Sequence, residues 1–305
     1  MSETISYQYA NPSTLAHSSE RNDLFLAQYS EVQKKEAPCF FWGQLTNPYI
    51  TARCLIALSN VVKSSFNLSP FQMSLLKDPI VTAGNEKIRF EGFSHCAGVY
   101  ARVDVLPGGH DGEFLENGTT NVDFNQAMIS ALSGISKHEK VLLSVGKKEV
   151  SLQTGNEKVV ERKVPLPAKW IKGLTSVQLY LAEAESAFTF NRVQALQLFQ
   201  SIPNGKPKTD YFLINRGNKP SFSPVSTTQG ICLGGIHRLK LLEPLLPLAD
   251  ALRVFAHPNM QSTTWQLYFG PVRFSLTLSR DDVPDSWLFF YDYARTVYSP
   301  AGTGT

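Results

Sequence analysis

The sequence has no long apolar run. No window approaches the roughly 18 consecutive apolar residues of a membrane span, and the N-terminal MSETISYQYANPSTLAHSSERND has no basic stretch leading into an apolar one. Neither a secretory signal nor a helical anchor is expected, and the chain reads as cytoplasmic. Cysteine is scarce: Cys39, Cys54, Cys96 and Cys232 stand far apart, with no CxC, CxxC or CxH spacing. That excludes a disulfide framework and a locally encoded zinc site, so no metal is expected. Charge is thin as well, 18% of residues with a formal net charge of +3. Such mild basicity permits contact with a polyanion but falls short of the dense basic face of a dedicated duplex binder.

Catalytic motifs are also missing. Gly234-Gly235 precedes a leucine-rich stretch, yet the lysine-serine pair of a phosphate loop and the full GxGxxG pattern are absent. Ser94, His95 and Cys96 are consecutive on or beside a strand, where neighbours point to opposite faces and do not form a nucleophile–base contact. Asp104, Asp123 and His95 are the polar set left for an enzyme to use. No cofactor is expected.

What is present is a chain of 305 residues, 43% hydrophobic, enough to bury one large or two moderate cores. Residues 1–36 read as a loosely ordered arm, 37–205 as an α+β core domain, and 206–305 as a C-terminal α+β subdomain with an aromatic hairpin. The boundary falls where proline, glycine, serine and lysine accumulate between 203 and 225. Ile50, Cys54, Leu55, Leu58, Val61 and Val62 recur at helical spacing and predict a helix over 48–62. LSPFQMSLLKDP predicts a second, shorter helix begun at Ser69-Pro70. From Ile80 the period changes to two, predicting strands from Ile80, at 87–93 and at 98–106, with a turn at Gly84-Asn85. VDFNQAMISALSGIS predicts a helix capped by Asp123 or Asn125, followed by strands with turns at Gly146-Lys147 and Gly155-Asn156. NRVQALQLFQSIP predicts another helix, and LKLLEPLLPLADALRVF a helical region broken at Pro244 and Pro247. WQLYFGPVRFSLTLS predicts a hairpin, and no short-period repeat is visible. The fold class is α+β, with mixed, mainly antiparallel sheets and peripheral helices.

Two segments stand out as candidate surfaces. In GTTNVDFN, Gly118 permits tight backbone geometry, Thr119, Thr120 and Asn121 supply donors and acceptors, and Asp123 caps a helix or holds a partner amide. The alternative is an ordinary capped strand-to-helix junction. In ERKVPLPAKWIKG, the cations Arg162, Lys163, Lys169 and Lys172 bracket two prolines and Trp170. A basic surface with an aromatic platform suits single-stranded nucleic acid or an acidic protein groove, although Trp170 can equally anchor the segment in the core. Arg102 and Asp104, at i and i+2 on a strand, share a face and are expected to pair. His237, Arg238 and Lys240 offer a modest basic edge.

DPIVTAGNEKIRFEGFSHCAGVYARVDVLPGG, GTTNVDFN, VVERKVPLPAKWIKGLTSVQLY, GGIHRLKLLEPLLPLADALRVF and WQLYFGPVRFSLTLS together resemble the N-terminal, non-finger part of bacterial SWIM zinc-finger-containing proteins. The resemblance spans about residues 40–279. It implies a zinc-binding CxC and CxH element towards the C-terminus, contact with DNA or protein, and association with AAA+ ATPases of the MoxR type and von Willebrand factor A proteins. This chain has no CxC or CxH after Leu278, so no zinc ligand carries over and the finger would be supplied by another protein. What carries over is a scaffold role for Gly98, Tyr100, Arg102, Asp104 and their neighbours in these motifs. The leading expectation is a non-enzymatic adaptor that binds a protein partner, such as an AAA+ ATPase or a von Willebrand factor A type protein. A weak nucleic-acid-binding module built on 162–172 is the alternative, and an enzyme the third.

Overall fold

The computed structural model describes residues 14–17, 22–25, 39–64, 79–94, 98–164, 173–174, 177–178, 181–217, 219–228, 230–258 and 262–280. Every strand pairing among them is antiparallel, as the α+β reading expected. A short pair, β1 (Thr14–His17) and β2 (Asn22–Phe25), comes first.

The first half then runs β3 (Phe41–Leu45), α1 (Pro48–Lys63), β4 (Ile80–Gly84), β5 (Lys87–Phe93), β6 (Val99–Val105), β7 (His110–Phe114), β8 (Gly118–Asn121), α2 (Gln126–Gly134), β9 (Val141–Val145), β10 (Glu149–Thr154) and β11 (Glu157–Arg162). The second half runs β12 (Glu185–Asn191), α3 (Arg192–Gln200), β13 (Tyr211–Arg216), β14 (Lys219–Ser223), β15 (Ile231–Leu233), 3-10 turns at Ile236–Leu242 and Leu246–Leu248, then β16 (Ala251–Ala256), β17 (Ser262–Phe269) and β18 (Val272–Ser279).

The two halves repeat one topology. In the first, β11-β10-β9-β3 lie side by side; in the second, β18-β17-β16-β12 do so in the same relative order. Each of β3 and β12 runs into a helix, and each is followed by a hairpin (β4-β5, β13-β14) whose first strand also pairs with a later short strand, β8 or β15. No short-period repeat is visible in the sequence because each unit is long and the two differ in their elements. Where the first half has α2, the second has 3-10 turns, because Pro244 and Pro247 remove the backbone donors that a continuing helix needs.

The halves are joined through β6 and β18, so that one eight-stranded sheet, β12-β16-β17-β18-β6-β5-β4-β8, crosses the junction. Alternation gives this sheet two different faces. One row across it reads Val81, Phe90, Val103, Phe274, Leu267, Leu252 and Phe190, all buried. Helix α1 covers that face over β5, β6 and β18, burying Leu55, Leu58, Val61 and Val62. Each such side chain contributes about 1.5–3 kcal/mol by leaving water. The adjacent row, one residue along each strand, is polar: Thr119, Thr82, Arg89, Asp104, Arg273 and Tyr268.

The predicted helix over 48–62 is α1, and the strands predicted at 87–93 and 98–106 are β5 and β6. The helix begun at Ser69 lies outside the described residues. The Gly84-Asn85 turn is displaced by one residue, since the left-handed positions are Asn85 and Glu86. ALRVF, read as helical, is strand β16, held between β12 and β17. β12 and β16 pair across the stretch expected to divide the chain at 203–225.

Candidate functional site

The polar face of the eight-stranded sheet carries an ionic network. Asp104 is fully buried and takes Arg89 Nε at 2.9 Å on Oδ1, and Arg273 Nη2 at 2.7 Å and Nε at 3.2 Å on Oδ2. Arg102 Nε lies 3.0 Å from the same Oδ2 but off its N–H direction, so this contact is electrostatic and not a hydrogen bond. The pairing expected from the i, i+2 spacing is therefore present, enlarged by arginines from β5 and β18. Burial alone would raise the Asp104 pKa; the Arg102, Arg89 and Arg273 guanidiniums outweigh it and hold the carboxyl below its ordinary range.

Two residues along, Glu91 is buried, and the Tyr100 hydroxyl donates to its Oε2. Gln178 closes the cluster: its Nε2 donates to Glu91 Oε2 at 3.3 Å and contacts the Tyr100 hydroxyl at 3.2 Å, while its Oε1 accepts from Arg89 Nη1 at 3.3 Å. Burial raises the Glu91 pKa, and the Tyr100 hydrogen bond and the arginines only partly offset this. A raised carboxyl pKa means the folded state binds the proton more tightly, so this group loses stability as pH rises through its folded value. Glu91→Gln, which keeps an acceptor for Tyr100 without the charge, is therefore expected to match or exceed the parent in stability at pH 8 and to lose that advantage at pH 4. Urea unfolding at both pH values checks this, and a strongly destabilised variant at pH 8 would contradict it.

Helical residues 177–178 sit on this polar side through Gln178, while α1 covers the opposite side. Neither α1, α2, α3 nor the 236–242 turn includes Asp or Glu, whereas they carry Arg53, Lys63, Arg192, His237, Arg238 and Lys240. Lys63 and Arg192 are exposed, and Arg53 and Lys137 both stack on the Tyr49 ring, at 5.0 and 5.9 Å. Arg238 departs from the expected basic edge. It is buried, and its guanidinium donates to the carbonyls of Gly98 (2.8 Å), Gly234 (2.8 Å) and Ser279 (2.5 Å). The Gly98 carbonyl, immediately before β6, is thus an acceptor for this buried guanidinium.

GTTNVDFN is largely used internally. Thr120 and Asn121 are buried; Thr120 Oγ1 donates to Lys147 O at 3.4 Å and Asn121 Nδ2 donates to Val164 O. These two are not available to a partner, because the bond to Val164 secures the chain leaving β11. Asn125, not Asp123, caps α2, accepting from the Ala127 and Met128 N–H groups, and is itself held by Glu161. Asp123 is half-buried and Thr119 is exposed. Gly118 is required by packing, since a Cβ there would stand 2.2 Å from the Phe40 ring. Of the basic segment, Arg162 and Lys163 are exposed at the end of β11; Lys169, Trp170 and Lys172 lie outside the described residues. His95 lies outside them too, and Asp104 is sealed among arginines, which removes it from the enzyme set. Among the described residues no three His, Cys, Asp or Glu side chains converge as a metal site, and no helix is long and apolar enough to cross a membrane.

The sequence reading missed Arg89, Arg273, Glu91 and Gln178. The signal for the first three was their period-two spacing on predicted strands; nothing local revealed that those strands adjoin.

Two halves of one antiparallel topology, joined edge to edge into one sheet that α1 covers on one face, make a fold similar to that of the sliding clamps. The structure is similar to the PCNA2-PCNA3 complex of Sulfolobus tokodaii (TM-score 0.55, 8% identity, 78% of this chain and 98% of that one). It is also similar to the DnaN sliding clamp, DNA polymerase III subunit beta, of Pseudomonas aeruginosa bound to griselimycin (TM-score 0.50, 11% identity, 86% and 69% covered). No protein-family model and no curated protein matches the sequence. The resemblance to SWIM proteins is overturned by this fold, and the expectations of a finger supplied in trans and a von Willebrand factor A partner fall with it.

Proposed function

We propose that the chain is a subunit of a sliding-clamp-like ring, a non-enzymatic adaptor that encircles nucleic acid and holds protein partners. The observation that supports this reading is a sheet that crosses the junction of the two halves and is covered on one face by α1, with no Asp or Glu within α1, α2, α3 or the 236–242 turn. Lys63 and Arg192 are exposed there and can meet a polyanion, Arg192 while also pairing with Asp250.

The topology also supports assembly. By the repeat, β11 is the counterpart of β18, and β14 the counterpart of β5 with no β6 beside it. The edges that meet as β18 and β6 within one chain therefore have free counterparts at β11 and next to β14 among the described residues. An interface between two different edges is head-to-tail, and it closes into a ring when the rotation per subunit permits. Arg162 and Lys163 then serve a subunit contact instead of a nucleic-acid platform. A clamp-type fold works with a AAA+ clamp loader and DNA, which gives the expected ATPase partner a different basis from the one first assumed.

Topological binding tests the proposal without a loader. The protein is incubated with duplex DNA tethered to a bead at one end, the free end is blocked with a bulky protein, and the beads are washed in high salt. A ring threads over the free end, so retention is expected only where the block was added. Equal loss with and without the block, or equal retention, contradicts encirclement, since a surface binder held by counterion release is indifferent to the DNA end.

A further inference from the structure

On the polar face of the first half, a solvent-open cavity of about 400 Å³ lies between the β4-β5 turn and β8, lined by Thr82, Asn85, Lys87, Arg89, Asn117 and Thr119 among others. No carboxylate lines it. Glu86 and Glu116 are its nearest acids in sequence, and neither belongs to the lining. Two cations line it: Arg89, whose Nε is paired with Asp104, and Lys87, which adds an ammonium.

The donors are fixed in place. Asn117 commits its Oδ1 to the Asn85 N–H at 3.3 Å, which leaves its Nδ2 as the end that donates. Thr82 and Thr119 share one hydroxyl hydrogen at 3.0 Å, so the second hydroxyl hydrogen remains for a ligand. A Cβ on residue 84 would stand 2.4 Å from Asn117 Oδ1, so Gly84 is what lets Asn117 reach the rim. The turn itself, Asn85 and Glu86 at φ 51° and 58°, is left-handed at both positions without a glycine, a conformation that costs a non-glycine residue about 1 kcal/mol. Strain of this kind concentrates where backbone serves a site.

We propose that this cavity binds a phosphoryl oxyanion, as pyrophosphate or the terminal phosphates of a nucleotide, between Lys87, Asn117 and the Thr82–Thr119 hydroxyl pair. A planar carboxylate calls for a free arginine fork, and Arg89 already spends its Nε on Asp104 and Nη1 on Gln178. The ammonium, amide and hydroxyl that remain are single-point donors, which suit a tetrahedral group. The site is independent of ring assembly.

The test is the melting temperature of the full chain titrated with pyrophosphate, ADP, acetate and sodium chloride at matched ionic strength. Pyrophosphate or ADP is expected to raise it while acetate and chloride do not. ADP binding more tightly assigns the source to nucleotides, and pyrophosphate binding as tightly assigns it to free phosphates. Lys87→Gln and Asn117→Asp are each expected to weaken that binding about tenfold or more. Asn117→Asp keeps the acceptor for Asn85 while placing an acid in the cavity, and both variants should melt within about 2 °C of the parent without ligand. No shift in the parent, an equal shift with acetate, or undiminished binding in both variants overturns the proposal.

Discussion

Arg238→Met is expected to cost about 3–5 kcal/mol of folding stability, the largest effect of any single side chain outside the apolar core. Arg238 is buried at 1% exposure, and its guanidinium donates to the carbonyls of Gly98, Gly234 and Ser279, with a longer bond from Nε to Gly235 O at 3.4 Å. Charge-assisted bonds of this type contribute about 1.5–3 kcal/mol each, and methionine of similar length supplies none of them. The sum is not additive, because the same chain ends also bond to one another: Ser279 N and Oγ both donate to Gly98 O at 3.1 Å. Those residues open β6 and close β18, so the damage concentrates where the two halves of the chain join. Hydrogen exchange in the variant should rise at 99–101 and 276–279 more than in β9 and β10. Urea unfolding checks the magnitude; a loss under about 1 kcal/mol would mean that water replaces the guanidinium. Arg238→Lys should fall between, since one ammonium cannot serve three acceptors in a plane.

Asp104→Asn is expected to cost a comparable amount, about 3–5 kcal/mol at pH 7, because it strips the shared counter-ion from Arg89, Arg102 and Arg273. Removing the arginine as well should restore part of the loss: Asp104→Asn with Arg102→Met leaves fewer uncompensated charges than Asp104→Asn alone. The pH dependence follows from the lowered pKa. A carboxyl whose folded pKa lies below its unfolded one contributes stability that is complete above the unfolded value and is lost as pH falls through the folded value. The gap between parent and Asp104→Asn should therefore hold from pH 8 to pH 5 and narrow below about pH 4. A gap that stays constant down to pH 2 would show that packing, and not charge, is what the carboxylate supplies.

Both residues show where local sequence stops being informative. HRLK reads as a basic edge because it sets Arg238 and Lys240 beside His237, yet Arg238 turns inward: carbonyls from Gly98, Gly234 and Ser279 converge there, and two of those positions are far away in sequence. Arg102 and Asp104 were readable as a pair because a strand puts i and i+2 on one face. Arg273, 169 residues from Asp104, was not, since only the β6–β18 pairing brings it there. The motifs that suggested SWIM proteins fail for a related reason. DPIVTAGNEKIRFEGF encodes a hairpin and WQLYFGPVRFSLTLS another, and hairpins with these patterns serve many folds.

By itself the sequence determined the fold class, α1, the β4-β5-β6 meander and the β17-β18 hairpin, because each has an amphipathic period long enough to specify its own conformation and its buried face. Tertiary structure alone decided that β12 and β16 are strands, that the chain repeats one topology, that eight strands form one sheet across the junction, and that the result is a sliding-clamp fold. The physical reason is that strand pairing satisfies backbone donors and acceptors with partners of any sequence, so which edges meet is set by the packing of the whole chain and leaves little trace in any one segment.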